Sequence, residues 1–172
     1  MNNPEASIAL KSCIDEFDSI AKLIDVLGHT SKPIPYITKY SLIKACGTIE
    51  FCFKTIIADI HQDQTKQIKN YIDKNIRMRG MNPSKVNICN VLSSFDDTWN
   101  KDFKNRLKTH KDSKRIEYSL DSLNNARNSF AHGGSITLTF ETIKKYLIDA
   151  IEVVKILDSV VVSAIEEQGI VP

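Results

Sequence analysis

Apolar residues recur along this chain at steps of three and four, and that rhythm limits the fold more than any other feature. Leu10, Cys13, Ile14, Phe17, Ile20, Ala21, Ile24 and Leu27 lie on one face of a helix. Leu42, Ile43, Cys46, Ile49, Phe53, Ile56, Ile57 and Ile60 form a second stripe, and Ile68, Tyr71, Ile72 and Ile76 resume it after a kink at His61–Lys66. Val86, Cys89, Leu92 and Phe95 build a third helix with a break at Asp96–Asp97, and Trp99, Phe103 and Leu107 carry the rhythm on. A further helix is expected from Glu117 to His132. The last starts near Thr139 and runs through Ile143, Leu147, Val154 and Val161. The pattern predicts an all-α bundle of four to five main helices. Residues 1–172 form a single domain in this reading, with 1–6 flexible.

The punctuation is read from turn chemistry. Gly28 can close the first helix as a left-handed cap. The segment 29–35 reads as a loop because Pro33 and Pro35 do not fit a helix interior, so the second helix is placed from about Tyr40. In 77–85, Asn82 is expected to cap a helix whose first residue is Pro83. The polar stretch 106–115 reads as a connection, and 135–140 as a linker.

Composition narrows the class. The 172 residues carry a net charge of +2, with 42% hydrophobic and 26% charged residues, as in ordinary globular domains of this length. No apolar run is long enough to cross a bilayer, and the first residues do not form a secretory signal, so a cytoplasmic location is expected. Cys13, Cys46, Cys52 and Cys89 sit in apolar stripes and read as reduced core residues. His29, His61, His110 and His132 have no ligand spacing, and no phosphate-binding glycine motif occurs. No metal or cofactor is expected.

One helix breaks the oily pattern. With 100° per residue from Ile116, Leu120, Leu123, Ala126 and Phe130 share an arc, and Arg127 falls inside it. Asn124, Asn128 and His132 fan out along its edge, and Gly133 and Gly134 follow directly. An unpaired buried charge costs several kcal/mol, so Arg127 requires a partner or a wet recess. On the second helix, Glu50 falls inside the apolar arc, which predicts that Glu50 lies within reach of Arg127. Each feature also has a structural reading. The pair can be a simple buried ion pair, His132 a favourable charge at a helix C-terminus, and the glycines a helix stop.

The combination Arg127, Asn128, His132 spells R-N-x-x-x-H near the end of a late helix. It resembles the HEPN superfamily, whose motif is R-x(4–6)-H with a polar residue just after the arginine. The narrower likeness is to the RiboL-PSP-HEPN-like prokaryotic ribonucleases, in helix order from about Tyr40 to Val161. The resemblance implies a four-helix core, a homodimer, and metal-independent endoribonuclease activity in phage defence, stress response or a toxin–antitoxin pair. It implies Arg127, Asn128 and His132 as catalytic, and Glu50 as the supporting acid of an earlier core helix. An antitoxin or defence-system protein is an implied partner. Family members modified by nucleotide transfer carry tyrosine two residues after the histidine. Gly134 stands there instead, which argues against an antitoxin acting on such a tyrosine.

Such chemistry suits RNA, which carries its own nucleophile. The 2′-hydroxyl attacks phosphorus to leave a 2′,3′-cyclic phosphate, helped by an imidazole for the protons and a guanidinium for the phosphorane. One chain brings one motif histidine, and a two-fold dimer brings two. The bases Lys101, Lys104, Arg106, Lys108, Lys111, Lys114 and Arg115, opposed only by Asp102 and Asp112, are the expected RNA-binding patch; a solvated helix end is the plain alternative. The alternative function is a non-catalytic HEPN-like module that dimerises or binds a nucleotide or partner. The motif imidazole of His132 favours the enzyme, since a mere dimer contact has no need of one.

Overall fold

The computed structural model describes residues 1–61 and 64–167, and among them there is no strand. The helices are α1 (Pro4–Leu27), α2 (Ile34–Asp59), α3 (Lys66–Ile72), α4 (Lys85–Phe95), α5 (Asp97–Thr109), α6 (Ser113–Ala131) and α7 (Phe140–Glu167). A π-helical turn, Asp73–Arg77, continues α3. The all-α expectation holds. Four long helices, α1, α2, α6 and α7, carry the bundle, and the shorter α3–α5 are inserted between α2 and α6. Helix α2 packs on α1, α6 and α7, while α5 packs against α7 and α4 lies against α5 and α6.

The core follows from the stripes. Phe17, Ile24, Leu42, Ile49, Phe53, Ile57, Leu92, Phe103, Leu107, Ile116, Leu120 and Leu157 are essentially sealed from water. All four cysteines are free and buried. Burial pushes the thiols of Cys46 and Cys52 up to about 12, so neither is a thiolate at neutral pH.

Several boundaries differ from the sequence reading. Helix α2 begins six residues early, at Ile34, with Pro33 as its cap and Pro35 in its first turn. A proline there loses no hydrogen bond, because first-turn N–H groups have no helical acceptor. The N-terminal segment is tied down. The carboxylate of Asp158, 2% exposed, accepts from the backbone N–H groups of Asn2 at 2.5 Å and Asn3 at 3.0 Å. Asn3 in turn caps α1 through Ala6. Residues 106–109 belong to α5 and 113–115 to α6, so the basic stretch is mostly helical. Asp96 breaks α4 from α5 as expected, its carboxylate accepting from the Thr98 N–H at 2.7 Å.

Candidate functional site

The C-terminal end of α6 is shaped by its glycines. Gly133 adopts φ +85° and donates to the Phe130 carbonyl, and Gly134 donates to the Ser129 carbonyl at 2.8 Å. These two bonds form a Schellman stop. Gly134 has a second duty: a Cβ there would come within 2.8 Å of the Ser129 carbonyl oxygen and collide with its hydroxyl. His132 is the capping residue between helix and glycines, and its side chain is exposed.

Arg127 does not pair with Glu50. Its Nη1 donates to Oδ1 of Asn82 at 2.5 Å, and Nδ2 of Asn82 donates to Oδ1 of Asn128 at 2.7 Å. Glu50 pairs with Lys54 on its own helix and accepts from the Met81 N–H at 3.0 Å. Lys54 also donates to the Arg79 carbonyl, and Asn124 donates to the Pro83 carbonyl at 3.2 Å. The segment 79–83 is therefore stitched into the groove between α2 and α6. Glu50 and Arg127 are joined through neighbouring residues of that segment. The buried Cys46 thiol still feels both charges: beyond the dominant effect of burial, Arg127 lowers its pKa and Glu50 raises it. The helical wheels placed each charge on the correct face. They were silent about the strand of chain that fills the groove.

Asn82 does not cap α4, as its place in the sequence suggests, but organises this corner. Ser84 caps α4, accepting from the Asn87 N–H at 3.2 Å. The stretch Asn82-Pro83-Ser84 offers two capping side chains for one helix start. That redundancy was the available signal that one of them serves elsewhere.

Within one subunit the motif does not converge on a point. Arg127 and His132 are about 140° apart around α6. Among the described residues, no hydrogen bond joins the imidazole to Arg127 or Asn128. Arg127 and Asn128 are half-buried beside 79–83, and His132 faces outward.

The basic patch also divides. Lys101, Lys104, Lys108, Lys111 and Lys114 are exposed. Arg106 instead pairs with Asp102 at 2.8 Å and donates to Ser159 and Ser163. Arg115 holds the buried Asp149 at 3.1 Å, with Asp112 beside it. Both arginines thus serve packing against α7. Lys111, Lys114 and Arg115 flank the start of α6, roughly 25 Å along the helix from His132.

An all-α bundle whose late helix ends in an arginine–asparagine–histidine corner defines a HEPN-type domain. The RiboL-PSP-HEPN family model matches residues 9–163, and the chain belongs to that family. No curated protein and no solved structure matches it significantly. Among the described residues no helix is long and apolar enough to cross a membrane.

Proposed function

We propose that this chain is a metal-independent endoribonuclease that works as a two-fold dimer. The observation that carries the reading is the corner itself: a half-buried guanidinium fixed by Asn82, Asn128 held by the same amide, and an exposed imidazole at the helix cap. The guanidinium grips phosphate oxygens through its remaining N–H groups. One imidazole removes the 2′-hydroxyl proton as the 2′-O–P bond forms, and a second protonates the departing 5′-oxygen as the P–O5′ bond breaks. The divergence of Arg127 and His132 within one chain favours a partner that supplies the second imidazole.

Helix α2 offers the face for that partner. Tyr36, Tyr40, Ile43 and Phe51 are 71%, 50%, 43% and 41% exposed, in line with Gly47 at helical spacing. Gly47 costs about 1 kcal/mol relative to alanine inside a helix, yet a Cβ there would meet nothing within 4 Å in its own chain. Close approach of a second backbone supplies a reason for it. Ile43 and Phe51 lie four residues to either side, so an antiparallel crossing at Gly47 pairs each with the other. The face continues into the motif helix: the Lys39 ammonium lies 5.5 Å from the Tyr36 ring and 5.8 Å from that of Phe130.

The biological setting proposed is phage defence, stress response or a toxin–antitoxin pair, with an antitoxin or defence-system protein as restraining partner. The test is incubation with RNA in the presence of a chelator. His132→Ala and Arg127→Ala should each lower cleavage by about 10²–10⁴-fold with the dimer intact. Unchanged cleavage in both variants would overturn the assignment. Gly47→Arg should yield monomers in sedimentation and abolish cleavage.

A further inference from the structure

A cleft of about 520 Å³ opens beside the motif, between α3 with its π-helical turn and α4. Its size falls in the range of small-ligand sites, about 300–1,000 Å³. Its walls are mostly neutral. Asn75, Asn87 and Asn90 present amides, Tyr71 and Phe95 present rings, and Arg79 is the only charged residue lining it among those described. The Asn90 side chain is exposed and makes no hydrogen bond to a described residue. Asn75 and Asn87 each spend one N–H on a backbone carbonyl, of Tyr71 and Asn82, and their amide oxygens accept from no described residue. Phe95 is held in a stack between His61 at 5.0 Å and Trp99 at 6.2 Å, so its ring is a fixed wall.

Each amide pairs a donor with an acceptor, as the edge of a nucleobase does. Exposed rings offer the stacking on which single-stranded RNA is read. One arginine suits one backbone phosphate and is too little charge for a polyanion site. Position adds the decisive link. Asn82 lines the cleft and also accepts from Arg127, so the cleft and the phosphate-gripping guanidinium share one side chain.

We infer that this cleft takes an unpaired nucleobase of the RNA strand whose backbone Arg127 holds, with Tyr71 stacking on it, Asn90 bonding its edge and Arg79 meeting an adjoining phosphate. The inference rests on the ribonuclease reading for the identity of the strand, and extends it by naming where a base is read.

The experiment measures binding of labelled 2′-fluoro hexamers of A, C and U, which lack the nucleophile, to the full-length protein by fluorescence anisotropy. Asn90→Leu and Tyr71→Ala should raise Kd at least tenfold and alter the ranking of the three hexamers. Arg79→Ala should weaken all three alike and flatten the salt dependence. These side chains are exposed, so the thermal midpoint should hold; Asn90→Asp, of equal size, should weaken binding by repelling the strand. Unchanged Kd in both Asn90→Leu and Tyr71→Ala, or no binding by the unaltered protein, overturns the inference. Loss of binding in the cleft variants combined with full RNA cleavage by His132→Ala and Arg127→Ala would leave the cleft standing and sink the catalytic assignment.

Discussion

Asn82 is the most informative residue to change, because one side chain serves both the fold and the proposed chemistry. In Asn82→Ala, Arg127 loses its acceptor and Asn128 loses its donor. A hydrogen bond to a charged group is worth about 1.5–3 kcal/mol and a neutral one about 0.5–1.5 kcal/mol. The groups are half-buried, so water recovers part of that, and a net loss of about 2 kcal/mol is expected. For a domain of this size the melting midpoint should fall by about 4–8 °C. The freed guanidinium samples other rotamers, and misplacement by about 1 Å is enough to cost on the order of 10²-fold in rate. Asn82→Asp separates the two roles. Its carboxylate still accepts from Arg127, so the midpoint should stay within about 2–4 °C of the unaltered protein. The same carboxylate competes with phosphate for the guanidinium and repels the RNA backbone, so cleavage should still fall at least tenfold. The assays are thermal denaturation and RNA cleavage on matched samples. Full cleavage by both variants would refute the positioning of Arg127 by Asn82, as would an unshifted midpoint in Asn82→Ala.

Other changes test other joints of the structure. Asp158→Ala strands the N–H groups of Asn2 and Asn3; it should cost about 2–4 kcal/mol in denaturant unfolding and hasten proteolysis near the N-terminus. Gly134→Ala forces its new methyl against Ser129 and should destabilise by about 1–3 kcal/mol in thermal melts, loosening the turn that presents His132. Burial lowers the pKa of His61, whose Nε2 has no hydrogen-bond partner among the described residues. Its unfolded form therefore binds the proton more readily, and the His61 contribution is full above about pH 6.5 and shrinks as pH falls through that value. Melting at pH 7.5 and 5.5 should show the lower midpoint at 5.5, and His61→Gln should narrow the gap; an unchanged gap would count against that role.

Much of the fold was legible because helical periodicity is a local signal. The apolar stripes of α1, α2 and α7 are sealed where their spacing placed them, except that Leu27, at the end of α1, and Ile43, on the outer face of α2, are exposed. Arg127 and Glu50 lie half-buried on the arcs where the wheels put them. The misread boundaries share a cause. Proline at 33 and 35 reads as a helix breaker, although first-turn positions need no N–H, and Asn82 reads as the cap that Ser84 provides. Charge alone grouped Arg106 and Arg115 with the lysines, whereas packing against α7 turns both toward Ser159, Ser163 and Asp149.

From its residues alone, the chain determines which faces of its helices turn inward and where an arginine–asparagine–histidine motif ends one of them. Those properties depend on neighbours three and four positions away. The tertiary structure decided who meets whom: that residues 79–83 enter the groove between α2 and α6, take Glu50 and Arg127 as separate partners, and open a cleft on their far side. A helical wheel fixes the direction of a side chain. The group it bonds is chosen by the free energy of packing distant segments together, where every buried donor and acceptor must find a match.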